Sequence, residues 1–205
     1  MPARQMKKTI LLALVAVAAC LLALTATAAP NRESPGPWCG GNLWRLMTLS
    51  DPQRRTVALR GTPTSIADIA KLKEPAQTPA RRATAFQRHV WRMRTVIDRY
   101  RIASNGEIVL ILYSIDSAQY MNAYLPNPHC LGSRARDRTG MIAAREQLTS
   151  RCPVVKPAWE LLGVTVDLAG VGFWNPTTVT RGALRNGAEL RPLTNFRIVS
   201  GCGVG

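Results

Sequence analysis

Arg92, Arg94, Arg99 and Arg101 fall within one ten-residue stretch, RMRTVIDRYR. Guanidinium groups at this spacing do binding chemistry: each offers several fixed N–H donors to a phosphate or carboxylate. Tyr113, Tyr120 and Tyr124 follow on the next two apolar segments and offer rings on which planar groups stack. Arginines interleaved with aromatics suit a surface for single-stranded nucleic acid or another acidic polymer. Arg134, Arg136 and Arg138 add a second basic cluster, and Arg181, Arg185 and Arg191 a third. The plainer reading makes Tyr113 and at least one other tyrosine core residues.

Catalytic chemistry has fewer candidates. Asp98, Glu107, Asp116 and Asp167 are the carboxylates a metal-dependent phosphodiesterase would need. Asp98 and Glu107 flank one predicted hairpin, close enough there to share a hard cation. Each also has an arginine nearby, as solvated strand ends commonly do. His89 and His129 are the two histidines; neither has a carboxylate at dyad spacing, and no HExxH or GxSxG occurs. Gly170-Val171-Gly172 lacks the third glycine and the helix of a dinucleotide site, and reads instead as a bend in a strand. No cofactor is called for.

The elements that must position these residues are mainly strands. Thr56-Val57-Ala58-Leu59 fits a short strand, and Ser65 is placed to cap a helical turn through Ala67, Ile69 and Leu72. Residues 73–84, with Pro75 and Pro79, read as a linking loop. From His89 to Ile102 polar and apolar residues alternate, but the apolar parity switches near Asp98-Arg99, which predicts a bulge or sharp bend. Asn105-Gly106 predicts a two-residue hairpin turn. Ile108 to Tyr113 is apolar throughout, as in a strand buried on both faces. Further strands fit Tyr120 to Leu125, Val164 to Phe173 and Leu190 to Val199. Between them Asp137 to Ser150 reads as a helix with Met141, Ala144 and Leu148 on one stripe. The order predicts a mainly β, OB-fold-like, partly open five-stranded barrel with one helix. The run from Asn175 to Gly187 becomes a long connection between the last two strands.

The first 28 residues have the form of an export signal: Lys7 and Lys8, an apolar run from Ile10 to Leu24, then Ala26-Thr27-Ala28. Fifteen apolar residues are short for a membrane span. Val17-Ala18-Ala19-Cys20 alternatively fits a lipoprotein box, with Cys20 as the anchored residue. The expected organisation is a signal peptide over 1–28, an N-terminal extension and linker over 29–84, and the barrel over 85–205. The mature chain is expected in the periplasm or outside the cell, with no transmembrane span. Its four cysteines, Cys39, Cys130, Cys152 and Cys202, predict two disulfides, since spacings of 91, 22 and 50 contain no CxxC pair for zinc. Cys130–Cys152 across the helical segment with Cys39–Cys202 joining the termini is the expected pairing. The chain carries 27 basic and 12 acidic residues. Without Arg4, Lys7 and Lys8 the excess is 24 over 12, which favours acidic partners. Arginine outnumbers lysine 22 to 5, a bias that a GC-rich genome also produces.

Several motifs occur in a specific order: Cys39-Gly40 with Trp44 and Asp51, Thr64-Ser65-Ile66-Ala67, Ser104-Asn105-Gly106-Glu107, Pro126-Asn127-Pro128-His129-Cys130 and Ala144-Arg145. The densest are Val171-Gly172-Phe173-Trp174 and Asn186-Gly187-Ala188-Glu189-Leu190-Arg191-Pro192-Leu193. In these the chain resembles a widespread family of small exported bacterial proteins of uncharacterised function. The resemblance implies histidines in relatives at the positions of Val109, Thr178 and Arg191, and acids at those of Tyr124, Asn127 and Asn175. Such groups could hold a metal or move protons, and this chain has replaced nearly all of them; Glu189 remains, and one carboxylate is a poor metal site. The expectation is therefore a non-enzymatic exported domain that binds an anionic partner: single-stranded nucleic acid, an acidic polymer or an acidic protein. Its ligand residues would be Arg92, Arg94, Arg99, Arg101, Tyr120, Tyr124, Arg181, Arg185 and Arg191. The rivals are a secreted metal-dependent nuclease and a structural component of the envelope.

Overall fold

The computed structural model describes Cys39 and residues 41–203; the expected export segment, its expected cleavage site and Cys20 lie outside the described residues. Among the described residues there are six strands: β1 (Ala58–Pro63), β2 (His89–Ile102), β3 (Ile108–Ser114), β4 (Gln119–Leu125), β5 (Glu160–Trp174) and β6 (Ala188–Ser200). Three α-helices accompany them: α1 (Trp44–Met47), α2 (Ile66–Ala70) and α3 (Arg138–Thr149). The strands form one mixed sheet in the order β1-β2-β3-β4-β6-β5, and β2 also pairs with β5. β1–β2 and β4–β6 are parallel and the other pairings antiparallel. This corrects the expected five-stranded, single-helix, partly open barrel. The added strand and helices lie in residues 44–70. α2 forms where the Ser65 cap predicted a helical turn, and β1 begins within the short 56–59 run; α1, four residues long, and the exposed remainder of β1 show no period to read.

β2 organises the sheet. Its N-terminal part lies between β1 and β5, and its C-terminal part between β3 and β5. Both the β3 and β5 pairings slip between Ile97 and Arg99, where the parity switch predicted a bend. The slip lets Met93, Ile97 and Tyr100 all face the core despite their uneven spacing. The same core holds Ile108, Leu110 and Leu112 of β3, Met121, Ala123 and Leu125 of β4, and Leu190, Leu193, Phe196 and Ile198 of β6. Met141, Ala144 and Leu148 of α3 are buried on one stripe, as the spacing predicts. Asp137 precedes the helix in the left-handed region (φ 58°) and makes no side-chain cap, whereas Ser65 does cap α2, accepting the Asp68 N–H at 3.1 Å. The β2–β3 connection is residues 103–107, longer than the expected two-residue turn, and is closed by Ala103 N–H to Glu107 O at 2.9 Å. In β5 the register shifts around Gly170 and Gly172; a Cβ on Gly172 would lie 2.3 Å from the Phe86 carbonyl oxygen, so this close crossing requires glycine.

The disulfides are Cys39–Cys130 and Cys152–Cys202, with Cα separations of 5.5 and 5.0 Å. This corrects the expected pairing. α3, about 18 Å long, carries the chain away from the turn that holds Cys130, so Cys152 is delivered to the end of β6 beside Cys202 while Cys130 meets Cys39. A second tie is a buried arginine within the proline-flanked loop. Arg82 is 2% exposed; its Nε and Nη2 donate to Asp51 Oδ2 at 3.1 and 2.7 Å, Nη2 donates to Leu46 O, and Nη1 to Gln87 O. Burial lowers its pKa, and Asp51 opposes that shift. Among the described residues no helix is long and apolar enough to cross a membrane.

Candidate functional site

Two arrangements on faces of the sheet turned away from the main core gather polar groups. The first is a basic track. Asp167 of β5 pairs in register with Arg94 of β2 on one side and Arg197 of β6 on the other. Arg94 holds it by two parallel bonds, Nε to Oδ1 at 2.8 Å and Nη2 to Oδ2 at 3.0 Å, and Arg197 Nη2 donates to Oδ2 as well. Asp167 is pulled below the usual carboxylate range, first by the Arg94 bond. Arg92, one alternation up β2, forms no ion pair with a described carboxylate and lines the same depression, about 940 Å³, with Arg94, Thr64, Asp137 and Asn195. A neighbouring depression of about 450 Å³ is lined by Arg151 and Arg197 and shares Gly140, Thr194 and Asn195 with the first. Together they make one surface path with four arginines against Asp137 and Asp167.

The second arrangement is buried. Alternation on β6 turns Leu190 to the core and Glu189 and Arg191 away from it; on β4 it does the same for Asn122 and Tyr124. Arg191 Nε donates to Glu107 Oε1 at 3.0 Å, and Nη2 to Glu107 Oε2. Its guanidinium lies 4.2 Å from the centre of the Tyr124 ring. Its Nη1 is 3.7 Å from Glu189 Oε1, an ion pair outside hydrogen-bonding distance. Glu189 is 1% exposed and neither carboxyl oxygen has a hydrogen-bond partner; Tyr124 and Asn175 act on it from nearby, but neither meets hydrogen-bond geometry. Burial, opposed by Arg191 and reinforced by Glu107, pushes the Glu189 pKa up to about 7. Burial and then Glu189 likewise push the Tyr124 hydroxyl up. For Arg191 the nearby carboxylates outweigh burial and the shift is upward. A cavity of about 350 Å³ adjoins the cluster, lined by Arg101, Ser104, Asn105, Glu107, Asn175 and Thr180 among others.

The arginines expected to share a face are thus divided. Arg92 and Arg94 lie on the basic track, whereas Arg101 sits at the cavity with its guanidinium 5.2 Å from the Trp159 ring. Arg99 pairs with Asp98 at 3.4 Å. Arg181 and Arg185 are exposed on the β5–β6 connection, and Arg191 is enclosed with Glu107. Tyr120 is exposed and packs on Tyr113 across the β3–β4 pair at 4.9 Å between ring centres; Tyr124 is buried. Asp98 and Glu107 do not meet. Asp98 lies beside the Ile97–Leu112 pair and Glu107 just beyond Ile102–Ile108, about five ladder positions or roughly 16 Å away. No group of three or more His, Cys, Asp or Glu side chains among the described residues is placed to hold a metal. His89 contacts the Ala85 carbonyl at 2.8 Å through Nδ1, and His129 is exposed in its turn.

Sequence reasoning missed Arg151 and Arg197 on the track, and Asn122 beside the buried cluster. The signal for Glu189 and Arg191 was present, since residues two apart in a strand share a face. Val109, Tyr124, Asn175 and Arg191, four of the six positions where the resemblance implies histidines or acids, all line the 350 Å³ cavity. No protein-family model matches the chain, and no curated protein matches it.

Proposed function

We propose that the protein is an exported, non-enzymatic binding domain for an extended anionic partner, which it holds along the path from Arg92 and Arg94 to Arg197 and Arg151. The observation that carries this reading is the joining of the two depressions at Gly140, Thr194 and Asn195, with a net excess of two positive charges along them. Arg92 has its guanidinium uncommitted to any described carboxylate, and Arg94 and Arg197 share a single one, so donors remain for incoming oxygens. A long shallow path suits a polymer better than a small anion. Export fits the signal-like leader and the two disulfides, which persist in oxidising compartments. The periplasm or the exterior is the inferred location, with anchoring at Cys20 as the alternative.

The test is fluorescence anisotropy of a labelled single-stranded oligonucleotide over a range of salt, with heparin as competitor and with cleavage followed in parallel. Binding should fall steeply with salt, and Arg92→Ala with Arg197→Ala should shallow the log–log slope by about 0.7 per lost phosphate contact. Salt-insensitive binding, or a slope unchanged in the double variant, would remove the track from the account. Metal-dependent cleavage would favour the nuclease reading instead. Heparin competing without any oligonucleotide binding would assign the partner to acidic polysaccharide.

A further inference from the structure

The second arrangement has no part in that proposal, yet it holds four of the six buried side-chain polar atoms without a hydrogen-bond partner among the described residues. Asn122 and Glu189 are each 1% exposed, and all four of their side-chain nitrogen and oxygen atoms lack a hydrogen-bond partner. Native proteins pair nearly all such atoms, with water or ligand where protein does not serve. Both residues point away from the main core, on the face of β3, β4 and β6 that also carries Val109, Ile111 and Tyr124.

The β5–β6 connection, residues 175–187, covers that face. Its base is fixed: Asn175 N–H donates to Gly187 O at 2.8 Å, and Asn186 Nδ2 donates to the carbonyls of Ile69, Ala70 and Leu72. Its tip is held differently. Among the described residues the hydrogen bonds of residues 176–183 stay within the connection, Thr178 N–H to Asn175 O and Ala183 N–H to Thr180 O among them. Contact with the strands is by packing: a Cβ on Gly182 (φ +78°) would lie 2.6 Å from Ile111 Cγ2 and 3.0 Å from Asn122 Oδ1. Val179 at the tip is fully exposed. A segment anchored at its base, and joined to the sheet by van der Waals contact alone at its tip, can lift without breaking hydrogen bonds to the sheet.

We propose that residues 175–187 are a lid over a binding site for a small zwitterion, a free α-amino acid being the simplest case. Lifting the tip joins the orphaned groups to the existing cavity, whose roughly 350 Å³ is within the range of small-molecule sites. Among the groups that line or would join the cavity, Arg101 and Arg191 balance Glu107 and an ionised Glu189, and a ligand with one charge of each sign preserves that balance; Arg145, which acts on Glu107, lies outside the lining. Arg191 is already committed to Glu107, so Arg101 with Ser104 and Asn105 takes the ligand carboxylate. Glu189, an acceptor without a donor, takes its ammonium. Asn122, with a free donor and a free acceptor, serves either end. An ammonium against Glu189 also favours its charged form, so binding should release protons near neutral pH. Arg191, Glu107 and Tyr124 are the charged or titratable groups that also act on this carboxyl.

The test uses the oxidised mature chain and free L-amino acids as probes, screened by thermal shift and then by calorimetry in two buffers of different ionisation heat. N-acetyl and carboxamide derivatives of each hit are the controls. At least one amino acid should bind, with its two derivatives and the Glu189→Gln variant weaker by tenfold or more. Hydrogen exchange in residues 176–185 should slow on binding. Asn122→Leu guards against a misfolded Glu189 variant: it should fold and lose binding. Gly182→Ala, whose methyl would press on Ile111 and Asn122, should hinder closure of the lid and weaken binding. No amino acid binding to the wild type, or binding indifferent to Glu189 and Asn122, overturns the proposal.

Discussion

Replacing Glu189 by glutamine should change how the protein's stability depends on pH. The Glu189 carboxyl is fully enclosed and titrates at about 7, against an ordinary value of 4.5. Between these values the folded chain holds a proton that the unfolded chain releases, so rising pH favours unfolding. The contribution is fully present below about pH 4.5 and lost as pH rises through about 7. Integrated over that interval it amounts to about 3 kcal/mol. Glutamine has the same shape and no titration. The difference in unfolding free energy between Glu189→Gln and wild type should therefore shift toward the variant by about 3 kcal/mol from pH 4.5 to 8. Taking the difference cancels the titrations common to both proteins; Glu107 and Arg191, which act on Glu189 directly, are the groups that could leave a remainder. Urea unfolding at pH 4.5, 5.5, 6.5, 7.5 and 8.0 with both disulfides intact is the assay. Parallel curves across this range would refute the buried, neutral acid and with it the physical description of the cluster.

Three further perturbations probe the framework. Asp51→Ala leaves the Arg82 guanidinium buried without its carboxylate and should cost about 3–5 kcal/mol in chemical denaturation; a loss below about 1 kcal/mol would mean the pair is solvated. Gly172→Ala forces a methyl against the Phe86 carbonyl and should destabilise by at least about 1–3 kcal/mol or abolish folding, read by thermal unfolding. Non-reducing peptide mapping should link Cys39 to Cys130 and Cys152 to Cys202, and the double serine variant at 39 and 130 should lose up to about 4–5 kcal/mol, because that bridge closes the longer loop.

How far the sequence could be read follows from where each signal resides. The bend at Ile97–Arg99 was legible because a switch of apolar parity has few structural outcomes, and the apolar run of β3 was legible because it is covered twice, by the core and by residues 175–187. β1 was legible only at its start, in the 56–59 run, because a strand exposed on both faces has no alternation to detect beyond it. Arg82 was obscured for the opposite reason: a charged residue in a proline-flanked loop gives no sign of burial, which depends on Asp51, 31 residues away. At the buried cluster, Glu189 and Arg191 are two apart on one strand, but Glu107 joins them from 84 residues away, and only the sheet order brings it there. The arginines of β2 were visible as a set; their division between the track and the cavity follows from the bend, whose geometry the alternation locates without defining.

The central claim is a location as much as an activity, and chemical-shift mapping tests it most directly. A short single-stranded oligonucleotide, titrated at low salt into the ¹⁵N-labelled chain from residue 29 onward, should perturb amides around Thr64, Arg92, Arg94, Asp167, Asn195 and Arg197 and leave residues 175–187 unmoved. Perturbations confined to other basic surfaces, such as Arg181 and Arg185, or none at all, would contradict the assignment of the Arg92–Arg151 path as the anion-binding surface.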